Sequence, residues 1–170
     1  MLLKREQIEH RVKELGAEIT LDYHGRDPVV IGVLTGAFMF VADLVRAIDL
    51  PVEVDFVRAS SYGAARASSG RVQLTPPTAL DWVRNRDVIF AEDILETGET
   101  LKAVHELACT HGARTIRTAV LLRKPVDESI PGERIEPEYV GFDIERRFVV
   151  GYGLDDDGKW RHLPYVGTVD

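Results

Sequence analysis

Residues Val88 to Leu101 read VIFAEDILETGETL. Val88 to Ala91 are apolar, as in a strand buried on both faces. The acids Glu92 and Asp93 follow without a break. Glu96, Thr97, Gly98, Glu99 and Thr100 come next, where the helical stretch GETLKAVHELACTHG begins. Acids crowded at a strand tip raise one another's pKa, so a positive group or a bound proton donor has to compensate them. Glycine at position 98 lets the backbone come close to a ligand. The free amides of a helix N-terminus and two threonine hydroxyls complete a phosphate cradle. Taken alone, Thr97 to Thr100 is also a plain helix cap with Thr97 as the N-cap, and Glu99 is a first-turn acid that suits the helix dipole. Acids beside a cradle point further, to sugar hydroxyls or to a metal shared with a phosphate.

The flanking segments supply the frame. From Lys4 to Gly25 the apolar residues Ile8, Val12, Leu15, Ile19 and Tyr23 recur at helical spacing, and Gly25 with Asp27-Pro28 ends that helix. PVVIGVL (Pro28 to Leu34) is a buried strand, and Thr35-Gly36-Ala37 turns the chain into FMFVADLVRAIDL, with Phe40, Leu44 and Ile48 on one helix face. VEVDFVRASSYG begins as an alternating strand, while Arg58 to Arg71 reads as an exposed, mobile loop. In the helix after the opening stretch Leu101, Val104 and Ala108 face inward and Gly112 closes it; TIRTAVLLRK is the next strand, and Tyr139 to Ile144 and Phe148 to Leu154 read as two more. Strands alternating with helices predict an α/β fold with a mostly parallel central sheet flanked by helices, whose ligands bind beyond the carboxyl ends of the strands.

The totals narrow the classes of function. The 170 residues suit one domain, residues 1–170, and 45% hydrophobic content is enough for a real core. A net charge of -7 argues against nucleic-acid binding, which calls for a basic face. Cys109 is the one cysteine, so no disulfide framework or cysteine-based zinc site forms within the chain, and a cytoplasmic location fits. MLLKREQIEHRVKEL has no signal-peptide pattern, and no apolar run is long enough to span a membrane.

The opening stretch, taken whole, resembles the phosphoribosyl pyrophosphate signature of the type I phosphoribosyltransferases: an apolar strand, two acids, two apolar residues, an acid, then Thr-Gly-x-Thr. From about Lys4 to Val166 the chain resembles the bacterial hypoxanthine (hypoxanthine-guanine) phosphoribosyltransferases. The segments that carry this are IGVLTGAFMFVADLVRAIDLPVEVDF, SSYG, LLRKP and YVGFDIERRFVVGYGLDDDGKWRHLPYVG. The resemblance implies the type I phosphoribosyltransferase fold with a small hood region. It also implies transfer of ribose 5-phosphate from phosphoribosyl pyrophosphate to hypoxanthine, and to guanine, giving IMP or GMP and pyrophosphate, with Mg2+ as cofactor. A homodimer or homotetramer is expected, with no nucleic acid or membrane as partner.

Residue by residue, the resemblance puts the pyrophosphate on Thr35 and Gly36, with a non-proline cis peptide before Thr35, where the family often has lysine. It makes Ser61 and Tyr62 the start of a loop that closes over the site and excludes water. Thr97, Gly98, the backbone of Glu99, and Thr100 hold the 5-phosphate, and Glu92 and Asp93 take the ribose hydroxyls or the metal. Lys124 reads the exocyclic oxygen of a 6-oxopurine, Phe148 stacks on the ring and Val149 supplies backbone contacts. Asp155 binds the metal and Arg161 reaches the pyrophosphate. Glu96 handles the proton on the base; the family usually has aspartate there. Outside the resemblance Phe148 reads as a core phenylalanine, Lys124 and Arg161 as surface cations, and Asp155 to Gly158 as an acidic turn. Two alternatives stay open: a non-catalytic nucleotide-sensing regulator on the same fold, and a relative specialised for xanthine or guanine.

Overall fold

The computed structural model describes residues 1–61, 72–75, 83–125 and 135–169. Helix α1 (Arg5–Asp22) is followed by β1 (Val29–Leu34), α2 (Phe38–Ala47), β2 (Glu53–Ser61), β3 (Val72–Thr75), β4 (Asp87–Leu95), α3 (Glu99–Thr110), β5 (Thr115–Arg123), β6 (Tyr139–Asp143), β7 (Val149–Val150) and β8 (Gly167–Thr168). Six strands form one sheet in the order β3-β2-β1-β4-β5-β6. β2, β1, β4, β5 and β6 run parallel, and β3 closes the edge antiparallel to β2.

The central strands are apolar throughout because both faces are covered. Val30, Ile89, Ala91, Ala119 and Leu121 belong to one core with Ile8, Leu15 and Ile19 of α1 and Phe40, Val41 and Leu44 of α2. Their alternate neighbours Val29, Ile31, Val88, Phe90 and Val120 belong to a second core with Leu101, Val104 and Ala108 of α3. A two-residue side-chain period thus feeds two separate cores from the same strands. From β1 the chain moves out to β2 on one side, and from β4 it moves out to β5 and β6 on the other. β1 and β4 are therefore the neighbours at which the strand order reverses, the point where open α/β sheets leave a crevice for ligands.

Two expectations are corrected. Arg58 to Ser61 continue β2 instead of opening a loop, because they pair with Val72 to Thr75 of β3. Residues 62–71, including Tyr62, lie outside the described residues. The strand expected over Phe148 to Leu154 is limited to Val149 and Val150, which pair with β8; Gly151 and Leu154 then form an isolated bridge. Positive φ angles at Gly151, Tyr152 and Gly153 turn the backbone out of the strand there. The β7–β8 pair forms a second, two-stranded sheet, and the neighbouring Val166 accepts from the Leu2 and Leu3 amides and donates to the Leu3 carbonyl.

The amino-terminal ends of the strands are fastened by charge. Asp87, with no exposed surface, accepts from Arg114 through both carboxylate oxygens and from the Thr115 hydroxyl at 2.7 Å, and Arg26 lies 3.7 Å away. The Arg114 hydrogen bond is the main reason its carboxyl is pulled down to about 2; burial opposes the shift. Replacing Asp87 by Asn should cost about 2 kcal/mol at neutral pH, read by urea denaturation. A depressed carboxylate stabilises above its unfolded pKa. The stability gap between parent and variant should therefore hold near neutrality and close as the pH falls through 3.8 toward about 2.

Candidate active site

The site is assembled where strand ends meet the loops that follow them. β4 delivers Glu92 and Asp93 to the crevice beside β1. Glu92 is only 7% exposed, and burial pushes its carboxyl up to about 8, with the Asp93 charge adding to the rise. The Thr100 hydroxyl opposes it by donating a hydrogen bond to Glu92. Asp93 is raised to about 6, again chiefly by burial, against the backbone N–H groups of Asp93 and Ile94 and the positive charge of Arg161; Asp155 pushes it further up. These interactions bring the acids of the strand tip and the first turn of α3 together, as the opening stretch predicts.

The loop after β1 closes against the same acids. The Leu34–Thr35 peptide is cis, as the resemblance implies. A Cβ at Gly36 would stand 1.7 Å from Asp93 Oδ2. A Cβ at Gly153 would stand 2.0 Å from the Gly36 carbonyl oxygen. Only glycine permits the loop after β1, the tip of β4 and the turn after β7 to lie this close. Gly153 and its neighbour Tyr152 were not singled out from the sequence, although the paired glycines of GYG at 151–153 carried the signal. The Tyr152 hydroxyl donates to Asp43 Oδ2 at 2.5 Å, tying the turn to α2.

Arg161 is clamped from two sides. Nη1 donates to the Gly153 carbonyl at 2.6 Å and Nη2 pairs with Asp155 Oδ1 at 2.7 Å. The other Asp155 oxygen accepts from the Gly158 amide at 2.7 Å. Arg161 therefore stands as the cation among Asp93, Asp155 and the loop holding Gly36, and is no free surface arginine.

α3 opens differently from the cap reading. Gly98, with φ of 80°, is the N-cap in place of Thr97. A left-handed N-cap is a conformation that glycine adopts without a steric cost. Thr97 reaches the helix from one residue further out, its Oγ1 accepting from the first-turn amide of Glu99 at 3.4 Å. That distance leaves a weak bond that an anion's oxygen can replace.

A second group gathers at the ends of β4, β5 and β6. Lys124 follows β5, its backbone amide bonded to the Leu95 carbonyl at 2.9 Å. Its side chain is 9% exposed, and Nζ lies 3.0 Å from Oε2 of Glu96, a residue 59% exposed. Beside it Arg123 grips Asp143 of β6 through two hydrogen bonds. Phe148 is 55% exposed and so is no core phenylalanine, while Val149 is buried. The Ser61 backbone ends β2 at the edge of the sheet.

The expected metal residues Glu92, Asp93 and Asp155 carry oxygen donors of the kind Mg2+ takes. Burial that raises two neighbouring carboxyls suits a cation that would relieve their repulsion. Among the described residues, no three His, Cys, Asp or Glu side chains form a ready-made metal cage. The fit is therefore to an ion that brings further oxygens with it, as Mg2+ does with phosphates.

Comparison with known proteins identifies the family. Residues 1–157 match the phosphoribosyl transferase domain family. A hypoxanthine-guanine phosphoribosyltransferase of Mycobacterium avium is 43% identical, covering 100% of this chain and 85% of that protein. The bifunctional protein TilS/HprT of Listeria innocua is 40% identical over 99% of this chain, which spans only 26% of that longer protein. The crystal structure of a hypoxanthine phosphoribosyltransferase from Staphylococcus aureus superposes with a TM-score of 0.89 at 41% identity, covering 100% of this chain and 90% of that one. With a crevice built at the β1/β4 reversal, a signature strand that feeds it, and relatives alike along the whole chain, the protein belongs to the phosphoribosyltransferase family.

Proposed function

We propose that the protein is a purine-salvage transferase that joins hypoxanthine, and also guanine, to the ribose 5-phosphate of phosphoribosyl pyrophosphate. The bond from C1 of the sugar to pyrophosphate breaks, a bond from C1 to the base forms, and the base gives up a proton. The observation that carries this reading is the convergence of Glu92 and Asp93, the Thr35-Gly36 loop and the opening of α3 on one crevice.

The residues divide the work by charge. Thr97, Gly98, the Glu99 amide and Thr100 take the 5-phosphate at the helix N-terminus. Glu92 and Asp93 face the ribose, and their negative charge favours a sugar that becomes cationic as the leaving group departs. Thr35 and Gly36 offer backbone N–H groups and a hydroxyl to the pyrophosphate, and Arg161 adds the charge that a lysine at position 35 would have brought. The exposed Phe148 ring stacks on the purine, and Lys124 donates to its exocyclic oxygen. Glu96 takes the proton from the base. The loop beginning at Ser61 and Tyr62 shields the sugar cation from water. Glu92, Asp93 and Asp155 would hold Mg2+, each Asp155 oxygen keeping a second lone pair beside its present hydrogen bond. When bound, the ion neutralises the charge of the departing pyrophosphate. The reading carries with it the cytoplasm as the compartment and a homodimer or homotetramer as the assembly.

The deciding experiment is a product assay with phosphoribosyl pyrophosphate, Mg2+ and each of hypoxanthine, guanine, xanthine and adenine. IMP and GMP should form, with little or no AMP. No nucleotide from any base would favour a nucleotide-sensing protein, and product from xanthine alone a specialised enzyme. Gly36→Ala drives a methyl into the Asp93 carboxylate. It should lower kcat/KM for phosphoribosyl pyrophosphate by about 10²-fold while the protein stays folded by circular dichroism. Glu96→Gln should lower kcat by ~10²- to 10⁴-fold, with the KM for phosphoribosyl pyrophosphate little changed; unchanged turnover removes the proton-accepting role.

A further inference from the structure

The Lys124 ammonium is nearly buried, and among the described residues its one acidic partner is Glu96, at 3.0 Å. The two residues are held on adjacent parallel strands. Leu95 stands opposite Arg123 in the register of β4 and β5, and the Lys124 amide donates to the Leu95 carbonyl at 2.9 Å. The neighbouring cation cannot stand in for Lys124, because Arg123 is committed to Asp143 and Glu136. From this geometry we infer that Glu96 is a specificity-determining residue acting through Lys124: its carboxylate holds the ammonium at the base site as a group that only donates. The inference rests on the proposed function and goes beyond the proton-accepting role given there to Glu96.

The physics is that of a buried charge and its counter-charge. A lysine ammonium has three N–H donors and no acceptor. One is engaged by Glu96, which leaves two to meet the exocyclic oxygen of hypoxanthine or guanine. The amino group of adenine brings a donor to a donor and leaves both unpaired, an arrangement that recognition sites refuse strongly. The refusal lasts only while the lysine stays charged and in place. Removing one member of a buried ion pair leaves the other uncompensated. Without the carboxylate, the uncompensated ammonium leaves its covered place for solvent. Its departure erases the preference for an oxygen on the base. The long stem of Glu96 lets its exposed end bridge from solvent to the covered ammonium, so one carboxylate serves base and lysine together.

The test separates this role from proton transfer by using nucleotides, whose binding involves no chemistry. IMP and AMP are titrated by calorimetry, with Mg2+ present, into the parent protein, Glu96→Gln and Glu96→Asp. Glu96→Gln should reduce the preference for IMP over AMP by roughly tenfold or more, while Glu96→Asp, which keeps the negative charge, should retain most of it. An unchanged preference in Glu96→Gln overturns the inference even if turnover falls. Equal loss in Glu96→Asp overturns the counter-charge as its cause. A parent protein that makes IMP in the product assay but yields an unchanged Glu96→Gln preference loses this inference alone; a parent that makes no nucleotide loses the proposed function with it.

Discussion

Two carboxylates, buried Glu92 and half-buried Asp93, follow one another at the end of a central strand, and the rest of the site is arranged around the cost of keeping them there. Burial lifts both toward protonation; the Asp93 charge adds to the rise of Glu92, and the Asp155 charge to that of Asp93. Each has found a different counterweight. Glu92 leans on a hydroxyl from the next helix, and Asp93 on two backbone amides and the field of Arg161. The approach of Gly36 to Asp93 follows from the same crowding, since a side chain at that position would occupy the place of the carboxylate. A substrate rich in hydroxyls and phosphates, carried with a divalent cation, is the partner that this charge distribution suits.

Arg161 links the acidic crevice to the turn after β7. Its two hydrogen-bonded partners, the Gly153 carbonyl and Asp155, lie on the backbone that packs against Gly36. Three chain segments far apart in sequence are thus locked through one guanidinium and two glycines. Lys124, Glu96 and the Arg123–Asp143 pair gather at the ends of β4, β5 and β6, so Glu96 shares its strand with Glu92 and Asp93. In the proposed reaction, the position of the base relative to the sugar phosphate would follow from the register between β4 and β5.

Much of this was legible in the chain itself. The double-sided apolar runs at Val29 to Leu34 and Val88 to Ala91 announce strands covered on both faces, and the helical spacing of Ile8, Val12, Leu15 and Ile19 announces the helix that covers one of them. The signature at Glu92 to Thr100 was legible because its residue types sit close in sequence. Contacts between distant segments were not. Periodicity carries no information about Gly36 meeting Asp93 and Gly153, nor about Tyr152 reaching Asp43. β3 was missed because four residues with a polar glutamine make too short a pattern, and its pairing with Arg58 to Ser61 exists only in three dimensions. The N-cap at Gly98 in place of Thr97 reflects backbone geometry, which a capping preference for hydroxyls does not encode.

The ion cluster around Asp87 lies at the opposite end of the strands from the crevice, and that separation has an evolutionary consequence. Cohesion of the scaffold is invested at one rim and chemistry at the other, so exchanges at the working rim draw little on the reserve that keeps the chain folded. Thr35 and Glu96, where the resemblance leads one to expect lysine and aspartate, both belong to the working rim, where a lineage is free to retune its chemistry without rebuilding its foundations.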